Sequence, residues 1–198
     1  GLYSSLVDVY KKYKSFQKSK KKQFIFVGRL IKLKNLERLI DGFNSITSNH
    51  EEWKLIIVGS GDLKFNKLQL GNNITIIKHL APSKLSALYR KSNFFILPSL
   101  KDHWPLVVHE ATLSGCFLLL SNRIGNIHEF ANKTNSIIFD PKSVHSIKNS
   151  FEQAMLLTNK ELNAASKESK KLGNIYNYEY SFTRFIQIIN LCLKKKYN

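Results

Sequence analysis

The sequence predicts a doubly wound α/β domain on a mostly parallel sheet, followed by C-terminal helices. Three observations predict it. Short apolar runs recur without polar interruption, as in strands buried on both faces. Segments with a helical face lie between them. Glycine or proline closes several of the runs. Strands alternating with helices are the pattern of a parallel α/β sheet.

The elements follow in order. Leu6, Val9, Tyr10 and Tyr13 have helical spacing, and residues 1–22 read as a basic helical lead-in. The domain proper is expected over residues 23–198. Phe24-Ile25-Phe26-Val27 reads as a buried strand closed by Gly28. Leu36, Leu39, Ile40 and Phe43 then form one helix face. Leu55–Val58 is a second strand ending at Gly59, and Ile74–Ile77 a third. Pro82-Ser83 marks a helix start, with Leu85, Leu88 and Tyr89 on its inner face. Phe94–Leu97 is a strand stopped by Pro98. Val107–Ser114 should be helical and end at Gly115, with strands at Phe117–Leu120 and Ser136–Phe139. In the tail, Val144, Ile147, Phe151, Ala154 and Met155 share one face, and Phe182, Phe185, Ile186 and Ile189 another.

Composition narrows the function. Hydrophobic residues at 43% and charged residues at 23% are globular proportions. No apolar run approaches the ~20 residues of a bilayer-spanning helix. Lys and Arg number 31 against 14 Asp and Glu, a net charge of +17, which favours anionic partners. The 2 cysteines, Cys116 and Cys192, suit a reducing compartment better than a disulfide scaffold. No Cys/His cluster has zinc spacing.

Ligands of open parallel sheets bind beyond the carboxyl ends of the strands. The loops to search are therefore 28–34, 59–62, 79–83, 98–105 and 121–129. In the first, Arg29 and Lys34 place two cations beside a helix start, a place for a diphosphate or simply a solvated basic loop. Gly59-Ser60-Gly61-Asp62 reads best as an ordinary strand-to-helix turn with Asp62 as N-cap. Pro98 to Ala111 holds Asp102 in a loop and Glu110 one turn into a helix. These carboxylates can accept hydrogen bonds from sugar hydroxyls, or serve only as a helix-start acid and a surface glutamate.

Taken together, these motifs resemble the C-terminal, nucleotide-sugar-binding domain of family-four (group 1) glycosyltransferases of the GT-B fold. The resemblance rests on Phe-Val-Gly-Arg with Lys34, Ile-Val-Gly-Ser-Gly, Phe-Phe-Ile-Leu-Pro-Ser through Ser99, and the acid-x7-Glu pair of Asp102 and Glu110. Gly125 followed by Glu129 completes it. It implies a Rossmann-like half of a retaining hexosyltransferase, whose N-terminal acceptor domain lies outside this chain. It implies that Arg29 and Lys34 bind the donor diphosphate, that Asp102 contacts the donor sugar and that Glu110 holds the ribose. Backbone groups near Leu106 and Val107 would meet the phosphates, and those near Leu80 the base. Gly28, Gly59 and Ser99 complete the expected nucleotide-sugar-binding set, with Arg29, Lys34 and Asp102 as catalytic residues. Where relatives have Glu-Gly-Phe-Gly, this chain has Asp102-His103-Trp104-Pro105. The sequence has no Asp-x-Asp pair, and metal-independent chemistry with no cofactor is expected. A nucleotide-sugar sensor and a GT-B epimerase remain alternatives. An RNA-binding module, suggested by Lys11–Lys22 with Tyr13 and Phe16, lacks any RNA-binding signature. The expected place is cytoplasmic and peripheral, with the basic surface toward anionic lipid on the inner membrane face. The tail helix around Phe182 to Leu193 is expected to return toward the absent half.

Overall fold

The computed structural model describes residues 22–176 and 178–196. The expected lead-in, with Leu6, Val9, Tyr10 and Tyr13, lies outside the described residues apart from Lys22. The apolar runs form strands β1 (Gln23–Val27), β2 (Lys54–Val58), β3 (Ile74–Ile77), β4 (Phe94–Leu97), β5 (Phe117–Ser121) and β6 (Ser136–Phe139). They make one 6-stranded sheet in the order β3-β2-β1-β4-β5-β6. Every pairing is parallel. The chain thus leaves β1 toward one edge and returns to start β4 on its other side. That reversal opens a crevice between the ends of β1 and β4.

The helices are α1 (Leu36–Thr47), α2 (Lys67–Leu70), α3 (Pro82–Lys91), α4 (Leu106–Leu113), α5 (Ile127–Phe130), α6 (Val144–Leu156), α7 (Asn159–Ile175) and α8 (Tyr178–Lys196). The α1 face read from the sequence is fully used: Leu36, Leu39, Ile40 and Phe43 are all buried. Beneath it, Phe24 packs against Phe43, Trp53, Phe94 and Phe151, with ring centroids 4.7 to 6.1 Å apart. This cluster welds α1 and α6 to one face of the sheet, and aromatic pairs of this kind add to simple area burial.

On the other face α7 packs on α4. Its inner face consists of Leu162, Ala165, Ser166, Ser169 and Gly173. Small side chains let the two helices approach closely. A Cβ added at Gly173 would lie 3.0 Å from the Leu113 backbone nitrogen. Ser169 Oγ donates to the Cys116 carbonyl at 2.8 Å and accepts from Asn135 Nδ2 at 3.0 Å, so the polar face is satisfied. Thr158 starts α7 with a capping box: its hydroxyl accepts from Glu161 N, and Glu161 accepts from Thr158 N. Thr158→Ala is expected to lower stability by about 1 kcal/mol, read as a drop in urea midpoint at unchanged slope.

The face of Phe182, Phe185, Ile186 and Ile189 on α8 is helical as read, yet all four side chains are exposed. No described helix is long and apolar enough to cross a membrane.

Candidate functional site

The loop after β1 is locked to the loop after β2. Gly28 N donates to the Val58 carbonyl at 3.0 Å and Leu30 N to the Ser60 carbonyl at 2.9 Å. Contact is so close that a Cβ at Gly59 would fall 1.9 Å from the Gly28 oxygen. Gly59 therefore sits behind the Arg29 loop and sets its height. The expected N-cap at Asp62 is corrected by the structure. The next helix starts later, and Asn66 caps it in a box with Gln69. Asp62 is an exposed loop residue.

A 3-10 turn at Lys32–Lys34 carries the chain into α1. It leaves Arg29 exposed and turns Lys34 inward, with 14% of its side chain accessible. The turn ends at Asn35 in the left-handed region, φ 59°. Asn is one of the few non-glycine residues that tolerate this conformation. Its buried amide donates to the carbonyls of Pro98 at 3.2 Å and Pro141 at 2.7 Å, and its oxygen accepts from Arg38. Leu100 N adds a bond to the Leu33 carbonyl at 2.9 Å. The loops after β1 and β4 are thereby held face to face across the crevice. The sequence reading did not single out Asn35.

Across that crevice the Lys34 ammonium forms an ion pair with Asp102 Oδ2. Asp102 is 18% accessible at its side chain. Its backbone is pinned by the loop after β5, through Asp102 N to the Arg123 carbonyl at 3.3 Å and Gly125 N to the Asp102 carbonyl at 2.8 Å. At Gly125 a Cβ would lie 2.1 Å from the His103 carbonyl oxygen, so this strap needs glycine to pass. Asp102 and Lys34 are thus fixed by three different loops. Ser99, at the base of the crevice, is fully buried, and its hydroxyl has no described partner.

Pro105 takes the N-cap position of α4, where a missing N–H breaks no intrahelical bond. Its carbonyl accepts from Val108 N at 3.1 Å and from the buried Asn126 amide at 3.3 Å. Leu106 is exposed and Val107 half-buried at the helix start. Glu110, one turn on, accepts a hydrogen bond from the buried Tyr89 hydroxyl at 3.2 Å. Leu80 lies half-buried just beyond β3, on the same edge of the sheet.

The two histidines part company. His103 is exposed, whereas His109 is buried, stacked on Phe130 at 4.9 Å. Its Nε2–H donates to the Gly173 carbonyl at 2.8 Å, which makes it a tie between α4 and α7. Burial holds its pKa below the ordinary 6.5, against the opposing pull of that bond. Below about pH 6.5 the unfolded chain takes up a proton that the folded chain refuses. The stabilisation is therefore full above that pH and is lost as pH falls toward the folded-state value. His109→Gln keeps an N–H donor without titrating. It is expected to flatten the fall in denaturation midpoint on acidification from about pH 7 to 5.

The strand order defines a Rossmann-like domain, with Lys34 of one loop paired to Asp102 of another. The model of the glycosyl transferases group 1 family matches residues 10–172, and the chain belongs to that family. It is 28% identical over 132 residues to an uncharacterized glycosyltransferase of Methanocaldococcus jannaschii, covering 64% of this chain and 34% of the relative. Two solved structures share the fold. One is the C-terminal domain of a group 1 glycosyl transferase, LpcC, of Francisella tularensis, with a TM-score of 0.72 at 19% identity. The match covers 87% of this chain and 98% of that one. The other is the pneumococcal O-GlcNAc transferase GtfA, solved with UDP and GlcNAc, with a TM-score of 0.72 at 19% identity, covering 89% and 37%. The chain thus spans about a third of its curated relative and nearly all of an isolated C-terminal domain.

Proposed function

We propose that this chain is the donor half of a retaining glycosyltransferase. The enzyme would move a hexosyl residue from a nucleoside diphosphate to a glycan or lipid-linked acceptor. The carrying observation is the Lys34–Asp102 pair, held over the strand-order reversal beside the start of α4. A donor diphosphate there would meet Arg29 and Lys34. Leu106 and Val107 would offer the backbone of a helix start, where N–H groups lack intrahelical acceptors. Glu110 would accept from the ribose. Leu80 follows β3, two strand spacings or roughly 10 Å from β1, which suits the base. Asp102 would accept a donor-sugar hydroxyl.

Cleavage of the sugar–phosphate bond leaves negative charge on the departing β-phosphate. Lys34 would offset it from a place already fixed by its neighbours, and preorganised charge is the strongest form of such help. Asp102 would hold the ammonium in place before the donor arrives and share it afterwards. The exposed apolar face of α8 would be covered by the N-terminal half of the enzyme.

The test uses the complete protein with UDP-, GDP- and ADP-hexoses. Glycosyl transfer from one of them, with the anomeric configuration kept in the product's proton NMR spectrum, is the expected result. Inverted product would sink the retaining assignment, and turnover of none of the donors would sink the transferase reading.

A further inference from the structure

Helix α3 starts at the site end of the sheet, just beyond β3, and returns the chain to the foot of β4. Tyr89 is rooted near the far end of this helix and is fully buried. A phenol shut off from water needs a partner inside the protein. Side chains on a helix lean toward its N-terminus, so the Tyr89 ring points back toward the site. It packs on Phe95 of β4, with ring centroids 5.9 Å apart. Successive strand residues face opposite ways, and the preceding Phe94 belongs to the aromatic cluster on the α1 side. The phenol is thus clamped on the face that carries α4, where its hydroxyl donates to Glu110 Oε2 at 3.2 Å. Its root is fixed as well: the Tyr89 carbonyl accepts from Ser92 N at 3.2 Å and from Cys116 Sγ at 3.3 Å.

Glu110 is half-buried, one turn into α4, and its own lean carries the carboxylate toward the start of that helix. A glutamate side chain has three torsions, and the Tyr89 bond limits the orientations its carboxylate can take. A carboxylate has about four acceptor positions, so one bond to a phenol does not exhaust it. We propose that Tyr89 is a positioning residue that makes the site selective for ribonucleoside over 2′-deoxyribonucleoside diphosphates. Being buried, it does not meet the ligand and acts through Glu110. The inference rests on the donor reading above, in which Glu110 accepts from the ribose. A mobile carboxylate turns to whichever hydroxyl is present and loses little when one is missing. A carboxylate fixed from behind cannot follow, and a deoxyribose leaves part of its hydrogen-bonding capacity unmet. Sites built to hydrogen-bond a hydroxyl reject the analogue that lacks it far more strongly than apolar pockets reject a misfit. A sugar carried on a deoxyribonucleoside diphosphate is therefore a poor donor for this site.

The test is calorimetric titration of the full chain with UDP, GDP and ADP, each beside its 2′-deoxy form. The parent is compared with Tyr89→Phe, Glu110→Gln and the double variant, and thermal melting checks that each is folded. Tyr89→Phe keeps the ring on Phe95 and removes the hydroxyl alone. The parent is expected to prefer the ribo form of its best nucleotide by about 100-fold. Tyr89→Phe should narrow that preference about tenfold, chiefly by weakening the ribo form. In Glu110→Gln the preference should be small, and adding Tyr89→Phe should change it no further. A merely structural phenol would weaken both forms alike, so an unchanged ratio in Tyr89→Phe would overturn the proposal. So would a parent that binds both forms equally, or a narrowing that persists in the Glu110→Gln background. Binding of no nucleoside diphosphate, or binding indifferent to Glu110, would overturn the donor reading itself and the proposal with it.

Discussion

Lys34→Ala is expected to cut turnover of the complete enzyme by about 100- to 1,000-fold, the scale of losing one preorganised group at a developing anion. Lys101→Ala, an exposed cation of the facing loop, is expected to cost only a few-fold, because solvent screens it. The contrast follows from position. Lys34 is 14% accessible at its side chain and is held by Asp102 over the crevice. Removing it also strands a partly buried carboxylate beside the proposed phosphate site, which adds repulsion to lost attraction. Steady-state rates for the two variants settle the matter. Equal, small losses would remove Lys34 from the chemistry.

Gly59→Ala is expected to destabilise the fold by about 3 kcal/mol, the upper range for overpacking a tight site. The added methyl group would meet the Gly28 carbonyl oxygen at 1.9 Å, a backbone atom that moves only with the whole loop. Melting should shift down by about 10 °C for a chain of this size, and nucleoside diphosphate affinity should fall with it. Gly28 and Arg29 would be displaced together. A variant that melts like the parent would show that the β1 and β2 loops are not pressed together. Loss of affinity without loss of stability would mean that Gly59 faces the ligand directly.

Much of the fold was legible because its signals are local. The strands announce themselves as unbroken apolar runs such as Phe94–Leu97, and α1 by a face whose four residues are all buried. Helix α7 was harder to see. Its buried face is Ala165, Ser166, Ser169 and Gly173, chosen for smallness and not for hydrophobicity, and only Thr158 and Glu161 mark its start. The Asp62 cap failed for a related reason. Nothing in Gly-Ser-Gly-Asp tells that the loop first runs back over Leu30 before a helix begins at Lys67. Exposure of the α8 face was also hidden, since periodicity shows that a face exists and not what covers it.

The site divides in the same way. Arg29, Lys34, Asp102 and Glu110 could be named from residue type and order. The ion pair between Lys34 and Asp102 joins residues 68 positions apart, and it depends on β4 lying beside β1. Asn35 carries its weight through contacts with Pro98 and Pro141, again remote in sequence. Tyr89 was read as a core residue, which it is, but its hydroxyl reaches Glu110 from 21 residues away. The residues proposed to meet ligand were therefore nameable from the sequence, and the contacts that hold them in place were not.

The central claim is that this chain carries a nucleoside diphosphate site at the β1/β4 crevice. Its most direct test is calorimetric titration of the chain with UDP, GDP and ADP at near-physiological salt, with Glu110→Ala alongside. One base binding clearly better than the others, and lost in Glu110→Ala, is the predicted result. A folded parent chain that binds none of them, or binds all three alike and unchanged in the variant, would contradict the claim.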